Sequence, residues 1–278
     1  MANTSGDKAS SSEEQSVIVE RRGGVAILTI NRPDVGNAVD HDTAVTLMEQ
    51  LDALHASGDC RAVLLRSNGK HFCTGADISR NKKENRESSK PSIGHMLRSL
   101  AAGPHALIEA LWNAKLPIVA EVKGRTSGMG LHMALACDLT VCAESASFAE
   151  PFTARGFNVD SGGSWLLPHY IGLARAKTLL YTAEPIDART ALDWGLVSEL
   201  VPDAELESRA LQLTEKLAAG ATFAIGVTKS LVHQGLDSTL EEQLEREAYG
   251  VEISIRSDDF KEGMRAFFEK RPPDFTGH

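Results

Sequence analysis

A single aspartate in front of two glycines is the strongest indication of chemistry in this sequence. Asp160 opens the segment Asp-Ser-Gly-Gly-Ser-Trp-Leu-Leu-Pro, which begins 22 residues after the end of a second glycine-containing segment at 124–138. The second segment predicts a loop that opens a helix, and the first N–H groups of a helix are free to stabilise an oxyanion. A carboxylate close to an oxyanion site is what proton transfer beside a carbonyl requires.

Short strands and helices surround these two segments and must position them. Apolar and alternating runs predict strands at 17–20, 25–30, 62–66, 117–122 and 139–142. Helical spacing follows at 40–55 and 93–112, and after residue 164 the predicted elements are all helices, as far as residue 270. This order predicts an α/β fold with a helical C-terminal region.

The same patterns divide the chain into three parts. We predict a disordered tail at 1–16, an α/β core at 17–202 and a helical C-terminal region at 203–278. Residues 79–92 are polar throughout, which predicts a mobile surface loop and a candidate lid.

The composition of the chain argues against several classes of function. The formal net charge of −9 disfavours nucleic acid and anionic membranes as partners. The four cysteines have no Cys-x-x-Cys spacing, so no metal site is expected. Because we find neither a secretory segment nor an apolar run of about 18 residues, we expect a soluble, cytoplasmic protein.

Motifs along most of the chain after residue 16 resemble those of the crotonase (enoyl-CoA hydratase/isomerase) superfamily. They are Asn31-Arg-Pro with Asn37-Ala, Phe72-Cys-Thr-Gly-Ala-Asp, the glycines of 124–130 with Ala136-Cys-Asp, and the segments 191–197 and 260–271. Within that superfamily, the segment 160–168 and the ending 271–277 are most similar to the 1,2-epoxyphenylacetyl-CoA isomerase branch.

The resemblance implies a fold, a substrate class and an assembly. The fold would be a spiral of ββα units with a helical C-terminal trimerisation region, and the protein would form homotrimers or paired trimers, that is, hexamers. The substrate would be an acyl-CoA thioester, with CoA as part of the substrate and no separate cofactor. The thioester carbonyl would accept hydrogen bonds from the amides of Ala76 and Met129, which follow Gly75 and Gly128.

The chain departs from the superfamily pattern where hydratases carry two glutamates. Those positions hold His132 and Phe152, which disfavours hydration by two carboxylates. His132 would lie one turn into its helix, where the helix dipole disfavours an imidazolium, so a packed or pocket-lining histidine is the alternative reading. Asp160 matches an aspartate that isomerase branches use to move a proton. The 4-chlorobenzoyl-CoA dehalogenase branch uses this aspartate as a nucleophile, and His105 lies approximately where that branch has a helper histidine.

The resemblance also implies contacts to the CoA part of the substrate, and these fall at Asp77, Ile78, Phe267 and Lys270. The function that we favour is an acyl-CoA isomerase with Asp160 as acid and base, which moves a double bond or rearranges an epoxide. Three alternatives stay open. They are an enoyl-CoA hydratase, an acyl-CoA hydrolase or dehalogenase with Asp160 as nucleophile, and a non-catalytic acyl-CoA-binding protein.

Overall fold

A six-stranded sheet forms the centre of the protein, whose computed structural model describes residues 15–77 and 92–278. Strands β1 (Val17–Arg22) and β2 (Val25–Ile30) form an antiparallel hairpin at one edge. The sheet continues from β2 in parallel through β3 (Ala62–Ser67), β4 (Ile118–Val122), β6 (Leu139–Ala143) and β9 (Glu199–Val201). Every residue of β2 is buried, as expected for a parallel sheet covered on both faces.

A second, smaller sheet lies next to the glycine-containing segments. It consists of β5 (Arg125–Ser127), β7 (Ser147–Ala149) and β8 (Ile186–Asp187), in that spatial order. These strands have two or three residues each, which is too short to show a period of two, and the sequence analysis did not predict them.

Ten α-helices complete the described part of the fold. They are α1 (His41–Ser57), α2 (His95–Ala102), α3 (Pro104–Asn113), α4 (Met129–Ala136), α5 (Gly163–Thr182), α6 (Ala188–Trp194), α7 (Leu206–Ala218), α8 (Thr222–Gly235), α9 (Leu240–Ser254) and α10 (Asp258–Glu269). Helix α5 is interrupted at Gly172, whose positive φ of 75° favours glycine.

The two faces of the six-stranded sheet are covered by different layers. Ala26, Leu28 and Ile30 of β2 face a large cluster that includes residues of α1, α3, α4 and α5. Val25 and Ile27 face the other way, against Leu206, Ala210, Leu213 and Ala218 of α7. Alternation along one strand thus produces two apolar layers. The first helix after residue 203 therefore packs directly on the central sheet.

The predicted α/β fold with a helical C-terminal region is confirmed. The predicted tail up to residue 14, the predicted lid at 79–91 and the predicted CoA contact Ile78 lie outside the described residues. Within the described ranges, no helix is both long and apolar enough to cross a membrane.

Candidate active site

In the loop after β3, the amide N–H of Ala76 faces away from the neighbouring segment at Val39. Val39 donates its N–H to the Gly75 carbonyl at 2.9 Å, and Asp77 donates its N–H to the Val39 carbonyl at 2.8 Å. This parallel pairing uses the polar groups of the residues on either side of Ala76, so the Ala76 amide points away from Val39. Gly75 makes the turn with a φ of 112°, which strongly favours glycine.

The start of α4 provides a second free amide, that of Met129. Gly128 has a φ of 53° and donates its N–H to the Ala149 carbonyl of β7 at 2.9 Å. Met129 is the first helical residue, and its N–H has no acceptor within residues 15–77 and 92–278. All eight residues of α4 are buried, so the amides at its N-terminus act in a low-dielectric environment.

The two loops that carry these amides are in direct contact. Ser127 donates its N–H to the Cys73 carbonyl at 3.0 Å. A Cβ atom added to Gly130 would lie 2.2 Å from that same carbonyl oxygen, and one added to Gly75 would lie 3.1 Å from the Ser127 carbonyl oxygen. Glycine at 130 is therefore required for the loops to approach each other, and the approach brings two free amides to one region.

Asp160 lies in a tight turn immediately before α5. Ser161 and Gly162 have φ values of 48° and 83°, and Gly163 donates its N–H to the Asp160 carbonyl at 3.1 Å. The Ser161 hydroxyl donates to Asp160 Oδ1 at 2.9 Å, while Oδ2 receives no hydrogen bond from the described residues. The half-buried carboxylate thus keeps one oxygen available to accept a proton.

His132 connects the Asp160 turn with the helix that begins at Met129. A Cβ atom added to Gly163 would lie 2.2 Å from His132 Nε2, so the N-terminus of α5 packs directly on the imidazole. The imidazole is completely buried and lies parallel to the Phe152 ring, with 6.0 Å between the ring centroids. These contacts agree with the alternative that His132 is a packed histidine.

Phe152 and Glu150 form the rest of the surroundings of His132. The Phe152 ring lies 3.3 Å from the position of a Cβ atom on Gly128 and meets Phe157 edge-on. Glu150 is completely buried, with Oε1 at 3.1 Å from His132 Nε2. Glu150 was not among the predicted site residues, because a glutamate is rarely buried completely and nothing in its local sequence marks it as an exception.

Helix α3 passes beside the Asp160 turn and carries His105. Ile108 lies 3.4 Å from the position of a Cβ atom on Gly162, and His105 is one turn earlier on the same helix. The Nε2 atom of His105 is buried and has no hydrogen-bond partner among the described residues. His105 therefore lies on the helix that passes beside the turn, one helical turn before Ile108.

The described residues that are predicted to contact CoA lie in the loop after β3 and at the end of α10. Asp77 pairs with Arg32 at 2.8 Å, and Arg32 also pairs with Asp40 at 3.1 Å. Phe267 and Lys270 lie on and just after α10, where Phe267 is 74% exposed. No described contact joins either of them to the two loops. Arg32 was not among the predicted site residues. It belongs to the Asn-Arg-Pro motif, and this motif was the only feature of the sequence that could have indicated a role beside Asp77.

Cysteine nucleophiles are not available at this site. All four cysteines are buried, and burial raises the pKa of the Cys73 thiol to about 11. Within residues 15–77 and 92–278, no three metal-binding side chains cluster. The candidate groups for action on a substrate, among the described residues, are therefore the Ala76 and Met129 amides and the Asp160 carboxylate.

This arrangement defines the class of the protein. The chain belongs to the enoyl-CoA hydratase/isomerase family, whose model matches residues 20–278. It is 38% identical over 256 residues to a probable enoyl-CoA hydratase of Rhodobacter capsulatus, covering 91% of this chain and 95% of that protein. It is 33% identical over 254 residues to the 1,2-epoxyphenylacetyl-CoA isomerase of Escherichia coli, with the same two coverages.

Two further comparisons agree with that membership. The chain is 31% identical to 4-chlorobenzoyl coenzyme A dehalogenase-1 of an Arthrobacter species, covering 94% of this chain and 93% of that protein. The crystal structure of a putative enoyl-CoA hydratase from Streptomyces coelicolor superimposes with a TM-score of 0.88 at 30% identity, with all of both chains covered. The predicted superfamily and its crotonase fold are confirmed.

Proposed function

We propose that this protein is an acyl-CoA isomerase in which Asp160 moves a proton between carbons of the acyl chain. The observation that carries the proposal is the half-buried Asp160 carboxylate, with one oxygen free, next to the helix that begins with the Met129 amide. Family membership supports an acyl-CoA thioester as substrate.

The reaction would proceed through an enolate. Asp160 removes a proton from the acyl chain, and the negative charge moves to the thioester oxygen. That oxygen accepts hydrogen bonds from the Ala76 and Met129 amides, each of which lowers the barrier by roughly 3–4 kcal/mol. The protonated Asp160 then returns the proton to a different carbon, so the double bond moves and the thioester is unchanged. An epoxide on the acyl group would instead rearrange after the same activation.

Isomerisation fits the surroundings of Asp160 better than hydration by two carboxylates. Phe152 is apolar and buried, and His132 is completely enclosed by Phe152, Glu150 and Gly163. Neither side chain is placed to activate a water molecule. Transfer of one proton between two carbons needs one acid–base group, and Asp160 provides it.

Two other activities have specific support. The Rhodobacter capsulatus relative favours a hydratase, in which Asp160 or His132 would act on water. The Arthrobacter relative, together with His105 on the helix that passes beside the turn, favours a dehalogenase or hydrolase, in which Asp160 would be the nucleophile. A non-catalytic acyl-CoA-binding protein would have no need for the free Asp160 oxygen.

The CoA part would lie along Asp77 and Ile78, with Phe267 and Lys270 supplied by a neighbouring subunit of a trimer or hexamer. Their exposed position on one chain supports that arrangement. Lys270 would pair with a phosphate group. A cytoplasmic location agrees with this substrate class.

The test compares the wild type with Asp160→Asn, using 3-enoyl-CoA, 2-enoyl-CoA and epoxyphenylacetyl-CoA and detection by mass spectrometry and ultraviolet absorbance. We expect a double-bond shift or an isomeric ring product that is lost in Asp160→Asn, with acyl-CoA binding kept. Asp193→Asn on the exposed side of α6 makes the same chemical change away from the site and should leave turnover unchanged.

Two results would contradict the proposal. Addition of water to the 2-enoyl ester that survives Asp160→Asn would indicate a hydratase built on other residues. Binding of all three esters without turnover would indicate a non-catalytic protein or a different substrate.

A further inference from the structure

A buried imidazole and a buried carboxylate face each other behind the candidate active site. His132 and Glu150 are both completely buried, and 3.1 Å separates Nε2 from Oε1. Neither residue has a role in the mechanism proposed above, and hydration by two glutamates would not use Glu150.

The polar atoms of this pair have almost nothing else to interact with. Among the described residues, neither ring nitrogen and neither carboxylate oxygen has a hydrogen-bond partner, and the polar contact of the pair is the 3.1 Å approach of Nε2 to Oε1. Burying ionisable groups without partners is costly, and such groups persist where they are paired or where function requires them. The contact between His132 and Glu150 is therefore the main interaction that offsets the free-energy cost of burying both side chains.

The pair lies where three parts of the site meet. His132 is one helical turn after Met129, so it belongs to the helix that supplies an oxyanion amide. Glu150 directly follows Ala149, whose carbonyl accepts the hydrogen bond from Gly128 at the start of that helix. The third part is the Asp160 turn, because Gly163 packs on the His132 ring.

We propose that Glu150 and His132 are positioning residues that fix the Met129 amide relative to the Asp160 carboxylate. The inference rests on the proposed function, since it concerns the two groups that bind the enolate oxygen and move the proton. Glu150 holds the imidazole from the β7 side, and the imidazole holds the Asp160 turn through Gly163. A change of about 1 Å in this spacing is enough to lower a rate about a hundredfold.

The experiment measures turnover and carbonyl polarisation in Glu150→Gln, which keeps the shape of the side chain and replaces the carboxyl group with an amide. Turnover of a 3-enoyl-CoA gives kcat and KM. Infrared difference spectroscopy of bound butyryl-CoA, labelled with ¹³C at the thioester carbonyl, reports the polarisation of the carbonyl by the amides. We expect kcat to fall about thirtyfold to a hundredfold with KM within about threefold, and a smaller carbonyl shift than in the wild type.

A matched control separates positioning from general stability. Lys229, which is buried, and Asp138, which is half-buried, form an ion pair at the opposite end of α4, with 2.9 Å between Nζ and Oδ2. Lys229→Met should lower the melting temperature but keep the carbonyl shift and kcat of the wild type. The double variant His132→Gln, Glu150→Gln should lose no more activity than the worse single variant, because the two residues act as a unit.

The outcomes distinguish this inference from the proposed function. If bound butyryl-CoA shows no carbonyl shift in the wild type, the oxyanion proposal fails and the inference fails with it. If the wild type shows the shift and Glu150→Gln keeps both the shift and kcat, only the inference is overturned. Should Glu150→Gln not fold, Glu150→Asp decides in its place: a reduced carbonyl shift supports positioning, and an unchanged shift and kcat overturn it.

Discussion

The contact between the two amide-bearing loops can be tested by adding one methyl group. Gly130 lies in the first turn of α4, and a Cβ atom there would lie 2.2 Å from the Cys73 carbonyl oxygen. It would also lie 2.7 Å from Cys73 Cβ and 2.8 Å from the Cys73 carbonyl carbon. These neighbours belong to a buried residue and its backbone, so no flexible side chain can move aside.

Gly130→Ala therefore has to separate the loops. Real Cβ contacts essentially never fall below 3.0 Å, so the loop at Cys73 or the helix has to move by at least 0.8 Å. A shift of this size between catalytic groups lowers kcat/KM about a hundredfold. The crowding also costs about 1–3 kcal/mol of stability, which exceeds the gain of up to about 1 kcal/mol from replacing a helical glycine with alanine.

The assay is kcat/KM on the substrate identified by the turnover screen, together with the free energy of unfolding in urea. Gly235→Ala is the matched control, since Gly235 also lies in a helix and a Cβ atom there would be at an ordinary 3.6 Å from Gln243. The control should keep wild-type activity and lose no stability. If Gly130→Ala keeps wild-type kcat/KM, the close contact does not position the amides and our reasoning is refuted.

Two further predictions concern regions away from Asp160. Burial, together with the charges of Lys229 and Lys115, lowers the pKa of His233 from 6.5 to about 4, so the unfolded chain binds more protons between these values. The free energy of unfolding should fall as the pH is lowered from 6.5 to 4, and His233→Gln should flatten that dependence in urea titrations; an unchanged slope would contradict it. Phe260, Met264, Phe267 and Phe268 expose apolar side chains on α10. Light scattering should therefore give three or six times the chain mass of 29.9 kDa, and a monomer would contradict this prediction.

The parts of the fold that could be predicted are those with local periodicity. Helix α1 spans seventeen residues, and every residue of β2 is apolar or threonine, so their patterns indicate structure without knowledge of their neighbours. Strands β5, β7 and β8 have two or three residues and exist because they pair with one another. Pairing between distant segments is not visible in a local pattern.

The residues of the candidate site likewise divide into those that the local sequence predicts and those that it does not. Gly75, Gly128 and Gly130 are recognisable because backbone conformation or close approach requires glycine there, and Asp160 is recognisable beside Gly162 and Gly163. No feature of the local sequence marks Glu150 as a site residue, since its burial depends on contact with His132 from another segment. In the proposed assembly, Phe267 and Lys270 would reach the substrate from a neighbouring chain, and no intrachain pattern can specify that placement.

The main-chain amides that we propose as oxyanion donors would affect how this scaffold can diverge. A substitution at Ala76 or Met129 changes the side chain but leaves the N–H in place, so the carbonyl-binding function cannot be removed by replacing one residue with another, proline excepted. The side chains at 132, 152 and 160 are then free to vary around a constant carbonyl position. Constant main-chain donors combined with variable side chains would produce relatives with different activities. The relatives of this chain include proteins named a probable hydratase, an isomerase and a dehalogenase. New activities on this fold would be sought most productively at those side-chain positions, with the two glycine loops unchanged.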